Sequence, residues 1–335
     1  MTLLKSRARL AHALLPASLA ALAALSPGAQ ALSSDPATYP GRPARIIVPY
    51  PPGGPTDVAA RILGVELSKR LGQTFIVENR AGAGGMIGAG EVARANPDGY
   101  TLLVNASAHV IYPAIFKTVP FDVLNDFSPI SQLVSVPLLM VVSPSTPANN
   151  IKELIAYGKA NPGKLSFASA GIGGAPHLAG ALFKQMTGLD AVHVSYKGSA
   201  PALTDLIGGQ VNFMFDSMSS SLAHVKSGKL RAFGVSTGKR SELVPDVPTI
   251  AESGVPGYEL PNWYGFWAPK GTPEVIVNKL YAATAAAFAD PTVAERIRAL
   301  GAEPATSRPQ VFGAFTVREK AKWGQIAIDS GAEKE

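Results

Sequence analysis

The stretch Arg45-Ile46-Ile47-Val48 followed by Pro49-Tyr50-Pro51-Pro52-Gly53-Gly54-Pro55-Thr56-Asp57 constrains the fold more than any other, because it turns a strand into a helix with no side chain in the way. Val58, Ala59, Ile62, Leu63, Val65 and Leu67 recur beyond it at helical spacing, and the proline–glycine cluster marks the turn. A helix that starts this way presents unpaired N–H groups and a partial positive charge, which suit a carboxylate or phosphate. The same residues serve equally as the plain strand-to-helix turn of an α/β domain.

The order continues as it begins. Gln73 to Glu78 alternates as a strand, Asn79 to Gly85 is a second glycine-rich loop, Met86 to Ala95 reads as a helix and Thr101 to Asn105 as a third strand. Strands separated by helices imply a mostly parallel sheet, and ligands in such sheets sit at the carboxyl ends of strands. Within the segment Leu133 to Pro144, the apolar core Leu138-Leu139-Met140-Val141-Val142 reads as a long buried strand. A fresh series then repeats the opening: a helix from Ile151, a strand from Lys164 to Ala168, the loop Ser169 to Ala175 and a helix from Pro176 to Thr187. Further strands are expected over 191–196, 211–216 and 230–236, then a short helix after Pro248. Three terminal helices from Pro273, Pro291 and Arg308 bring no new strand and are expected to pack on the first sheet. The expected organisation is a first domain of residues 39–140 plus 267–335 and a second of 141–266, with crossovers near Met140 and Phe266 acting as a hinge. Trp263, Tyr264, Phe266 and Trp267 fit either an aromatic ligand wall or core packing at that junction.

Residues 1–31 are set aside before fold reasoning. Lys5, Arg7 and Arg9 precede an apolar run from Leu10 to Leu25, and Ala29-Gln30-Ala31 satisfies the small-residue rule for cleavage. Pro16 and Ser18 interrupt that run, which argues for a signal peptide over a membrane anchor. The chain has no cysteine, so neither a disulfide nor a thiol lipid anchor is expected, and a periplasmic location fits. Of 30 basic residues the leader holds three, leaving 27 against 24 acidic, a net charge of +3. That charge and the lack of Lys/Arg runs exclude a nucleic-acid reading. A hydrophobic content of 47 % supplies ample core for the roughly 300 remaining residues, enough for one large or two ordinary domains.

Tyr39-Pro40-x-Arg42-Pro43, Pro51-Pro52-Gly53-Gly54-x-x-Asp57, Val77-Glu78-Asn79-Arg80-x-Gly82-Ala83-Gly84-Gly85, Pro97-Asp98-Gly99-Tyr100-Thr101, Gly173-x-x-x-His177-Leu178-x-Gly180, Tyr196-Lys197-Gly198 and Val247-Pro248-Thr249 together resemble the Bug, or TctC-type, periplasmic solute-binding proteins. These are the receptors associated with tripartite tricarboxylate transporters. The resemblance implies an α/β, type II-like periplasmic-binding-protein fold, with two mixed, mostly parallel sheets joined by two crossover strands. It further implies closure on a ligand and a carboxylate held between loops of the two domains, here Pro51 to Asp57 and Ser169 to His177. The candidate ligand contacts are Pro52, Gly53, Gly54, Asp57, Gly84, Ser107, Ala170, Gly171, Gly173, Gly174, His177, Tyr196, Lys197 and Asp216. Ala175-Pro176 stand where many relatives carry hydroxyl residues, so less hydroxyl contribution is expected there. Asp57 either ties its own helix start or receives an ammonium or hydroxyl, and Asp216 carries the same ambiguity. His177 serves structure or ligand equally well, and Lys197 is either an anion contact or an exposed charge.

Enzyme chemistry has one foothold, Gly234-Val235-Ser236-Thr237-Gly238, which matches a nucleophile elbow. The residues after it bring Pro245 and Pro248 instead of a helix, and no histidine follows Ser236, so the expectation is no enzyme. Ile87 breaks a dinucleotide fingerprint over Gly82 to Gly90, no Walker A sequence occurs, and His109, His177, His193 and His224 are scattered without a metal-ligand spacing. No cofactor and no metal are expected. The expected protein is a monomer that binds a small carboxylate solute and delivers it to membrane permease subunits. A sensory protein presenting its closed form to a signalling partner is the alternative.

Overall fold

A computed structural model describes residues 38–171 and 174–329. The leader, Gly173 and the last six residues lie outside these, so the signal-peptide reading and the Gly173 assignment have no structural counterpart.

The first half of the chain forms β1 (Ala44–Val48), α1 (Pro55–Leu71), β2 (Phe75–Asn79), a 3-10 turn (Ala83–Gly85), α2 (Met86–Ala93), β3 (Thr101–Ala106), α3 (Ala108–Ile115) and β4 (Phe127–Val136). Then come β5 (Leu138–Val142), α4 (Ile151–Ala160), β6 (Leu165–Ser169), α5 (Ala175–Thr187), β7 (Ala191–Ser195), α6 (Ser199–Ile207), β8 (Phe213–Ser217), α7 (Met218–Lys226) and β9 (Arg231–Val235). The chain closes with β10 (Asn262–Pro269), α8 (Glu274–Phe288), α9 (Pro291–Arg298), β11 (Glu303–Pro304) and α10 (Pro309–Asp329).

The strands make two sheets, one in the order β11-β4-β10-β3-β1-β2 and one in the order β7-β6-β8-β5-β9. Each has a parallel core, β2-β1-β3 and β7-β6-β8, with antiparallel strands beside it. The fold is therefore the expected two-sheet α/β arrangement. β1 and β6 lead at their carboxyl ends into the two glycine loops, which is where such sheets place ligands.

The chain changes sheets at Pro137, whose missing N–H interrupts a ladder, and it returns to the first sheet in β10. The buried strand expected at Leu138 to Val142 is β5, and the residues before Pro137 belong to β4 of the other sheet. Met140 and Phe266, expected at the crossovers, lie inside β5 and β10. Three further differences are local. The helix α3 was not anticipated, since Pro113 lies inside it. β11 adds a two-residue strand to the edge of β4, correcting the expectation of no further strand. The short helix expected after Pro248 is a run of turns. The last difference has consequences: α10 packs on α3, β4 and α8, and also on α5 beside the second sheet. One continuous apolar cluster accordingly joins Ile47 and Leu103 to Phe167, Phe213 and Phe215 through Trp263, Phe312 and Trp323.

Candidate functional site

Two helices begin in the same way. Gly54 precedes α1 with φ −74° and ψ 164°, and Gly174 precedes α5 with φ −75° and ψ 163°. Each is followed by proline in the first turn, and neither start receives a side-chain cap among the described residues. The first backbone bonds are Val58 N to Gly54 O at 3.0 Å and Leu178 N to Gly174 O at 3.1 Å. In α1 the N–H groups of Thr56 and Asp57 carry no hydrogen bond among the described residues. Both helices end on left-handed glycines, Gly72 and Gly188, so each is a complete unit whose open end is its N-terminus.

A pocket of about 480 Å³ lies in front of α1. Its walls are the loop from Tyr50 to Asp57 other than Gly53, together with Ala106, Asn262 and Tyr264, all from the first sheet and its loops. Among the described residues no Lys or Arg lines it. Pro51, Pro52 and Pro55 make part of its surface rigid and apolar, leaving backbone N–H groups, the Thr56 hydroxyl, the Asp57 carboxylate, the Asn262 amide and the tyrosines as polar groups. A Cβ added at Gly53 or Gly54 would meet nothing within 4 Å, so both face open space. They differ in backbone: Gly53 has φ +90°, where only glycine is comfortable, whereas Gly54 sits where any residue is allowed.

Asp57 is the structural pin of this loop. Its side chain is 2 % exposed. Oδ2 accepts from Gly53 N at 2.9 Å and Arg61 Nε at 3.0 Å, and Oδ1 accepts from Asn79 Nδ2 at 2.9 Å. Burial pushes its pKa up, but the bonds from Arg61, Gly53 and Asn79 outweigh that and hold it below the usual carboxylate range. Asn79 also donates to Tyr50 O, so one amide ties β2 to both ends of the loop.

The other candidates fall into place around the second sheet or behind the pocket. Ser107 is buried and donates from Oγ to Asn262 Oδ1 at 2.7 Å, while its N–H bonds Trp263 O at 2.9 Å. Gly84 has φ +64°, and a Cβ there would come within 2.8 Å of the Phe116 ring, so backbone angle and packing both favour glycine. Ala170 and Gly171 follow Ser169, whose hydroxyl donates to Gly171 O at 3.0 Å and pairs with His193 Nε2 at 2.7 Å. His177 does not join the pocket at α1. Its ring stacks on His193 at 4.1 Å and lines a separate cavity of about 290 Å³ with Phe167 and Lys184. Burial lowers the pKa of both rings. That of His193 falls to about 4, with the nearby His177 and Lys184 adding to the effect.

Tyr196 donates its hydroxyl to Asp205 at 2.7 Å, and burial followed by that carboxylate raises its pKa to about 12. Lys197 is exposed. Asp216 is fully buried at the end of β8, accepts from Ser199 Oγ at 2.6 Å and from Ser220 Oγ, and is raised in pKa by burial despite those bonds. It ties α6 and α7 to the sheet. Ser236 of the elbow-like motif is buried and accepts the Leu138 N–H at 3.0 Å, a bond that braces the start of β5. Of the junction aromatics, Trp263, Phe266 and Trp267 are core, and Tyr264, placed beside Thr56, also edges the pocket. Asn262 and Ala106 escaped the sequence reading, since nothing in the sequence brings residues 106 and 262 to the Pro51 to Asp57 loop.

A family model for the tripartite tricarboxylate transporter family receptor matches residues 59–331. The chain belongs to this receptor family. The protein BugT of Bordetella pertussis is 39 % identical over 298 residues, covering 88 % of this chain and 91 % of that protein. The structure of the periplasmic binding protein BugD is similar with a TM-score of 0.72 and 41 % identity, over 89 % of this chain and 100 % of that one. A Rhodopseudomonas palustris protein, Rpa4515, solved with adipate, has a TM-score of 0.76 and 36 % identity, over 89 % of this chain and 100 % of its own. The family is one of periplasmic solute-binding receptors and not an enzyme family.

Proposed function

We propose that this receptor binds a small organic anion through a carboxylate placed against the open start of α1, and delivers it to the membrane subunits of a tripartite transporter. The observation that carries the reading is the pair of uncapped helix starts, alike in dihedral angles and each following a glycine loop. Such an end contributes about 0.3–1 kcal/mol toward an anion, and up to about 2 kcal/mol where partly buried. The absence of Lys and Arg from the pocket at α1 supports a grip by backbone N–H groups there. The loop before α5 supplies the second half of the grip when the two sheets close on the solute. In this reading the halves divide at Pro137 and within residues 236–261, the protein is exported, and it acts as a monomer. Gly53 and Gly54 give room for the solute, Asp57 and Ser107 hold the loop and wall in place, and His177, Tyr196 and Asp216 brace the second half.

The test starts with protein collected from a periplasmic extract, whose N-terminal sequence should begin near Leu32. Gly54→Val should fold normally, because its backbone angles suit any residue, yet place a branched side chain where the carboxylate sits. Calorimetry with small carboxylates should show tenfold or greater weakening in Gly54→Val and little change in Lys197→Ala. The reverse pattern would replace the backbone grip by a side-chain ion pair.

A further inference from the structure

Asn262 is the first residue of β10 and lines the pocket in front of α1. Its Oδ1 accepts two hydrogen bonds, from Ser107 Oγ at 2.7 Å and from the Trp263 backbone N–H at 2.8 Å. A backbone N–H only donates, so this bond settles which end of the amide is oxygen. The oxygen is committed to the wall. The NH2 group has no hydrogen-bond partner among the described residues, and it is the end of the side chain left for the pocket.

We infer that Asn262 is the specificity residue for the far end of the solute: its NH2 donates to a second oxygen function, so the solute carries two separated oxygen-bearing groups. This rests on the carboxylate reading of α1. An NH2 group offers two N–H donors and no acceptor, so it accepts a carboxylate, carbonyl or hydroxyl oxygen opposite and rejects an ammonium. The buried Asp57 does not compensate, because its two oxygens are taken by Gly53, Arg61 and Asn79. The pocket at α1 therefore favours dicarboxylates and hydroxycarboxylates over amino acids whose amine would fall at Asn262.

Ser107 is a positioning residue in this scheme. Its hydroxyl sits behind the amide, reached by none of the pocket's surface, and its own N–H is tied to Trp263 O. The same strand start thus carries both the reading group and its support.

The test compares calorimetric affinities for matched probes: succinate with butyrate, adipate with hexanoate, and adipate with 6-aminohexanoate. The wild type should prefer each dicarboxylate to its matched monocarboxylate by tenfold or more. Asn262→Leu, close in volume, should erase that preference while leaving the monocarboxylates within about twofold. Asn262→Asp keeps an oxygen for Ser107 and Trp263 but replaces the donor by an acceptor. It should weaken adipate and tighten 6-aminohexanoate, reversing their order. Circular dichroism first confirms that each variant is folded, and the aspartate variant decides the matter if the leucine variant is not. Equal losses for both members of every pair, or a wild type that takes monocarboxylates in preference, would overturn the inference and leave the carboxylate reading standing. Failure of every carboxylate to bind would overturn both.

Discussion

A carboxylate at the mouth of the proposed anion site is a paradox at the scale of the residue, and the bonds of Asp57 resolve it. The charge is spent within the loop, on Gly53, Arg61 and Asn79, and what it gives the site is the shape of residues 50–57. Asp57→Asn turns one acceptor into a donor that faces either the Asn79 amide N–H or the Gly53 N–H and Arg61 guanidinium together, so a loss of about 1–3 kcal/mol of stability is expected. Its folded pKa is depressed, so its contribution is fully present above the ordinary carboxylate pKa and fades as pH falls through the lower folded value. Urea melts of wild type and variant should therefore differ most at neutral pH and converge towards pH 3. A gap that stayed constant with pH would show that the charge of Asp57 contributes nothing. The role of this residue was half legible in the sequence. Its place in the first turn was plain, but the partner Asn79 comes from the end of a neighbouring strand, and only the parallel pairing of β1 with β2 brings it there.

Among the elements, α10 departs furthest from what periodicity foretold. Its apolar face was readable, whereas the surface it covers depends on tertiary contacts with α3, β4 and α5 that leave no local signal. The alternation of strands and helices, by contrast, is local and was legible, as were the two glycine loops. The buried strand Leu138–Val142 was legible as an apolar run, whereas the change of sheet just before it was visible only as Pro137. What fixes α10 is Glu319, a nearly buried carboxylate whose Oε2 accepts the indole N–H of Trp263 at 2.9 Å and of Trp323 at 2.8 Å, with Lys322 on Oε1. Glu319→Ala leaves two buried donors without partners and should cost about 2–5 kcal/mol. Glu319→Gln keeps an oxygen for the indoles and should cost less than half as much. Equal losses in chemical denaturation would mean that the carboxylate fills space and no more.

On the scale of the whole molecule, the two sheets share one apolar cluster, in which Phe312 and the indoles of Trp263 and Trp323 pack. The closure proposed for this receptor would then be a rearrangement of packed side chains at the junction and not a free swing of two bodies. All three tryptophans of the chain, Trp263, Trp267 and Trp323, stand in that junction at 2 % exposure or less, and none lines the pocket at α1. The receptor thereby carries a built-in optical gauge. Native emission should lie well to the blue of free tryptophan, with acrylamide scarcely quenching it. A bound solute that is itself colourless should still alter the brightness, because it is the junction that glows. An emission maximum like that of free tryptophan would contradict the sealed cluster. A silent response at saturation would mean that solute and junction do not communicate.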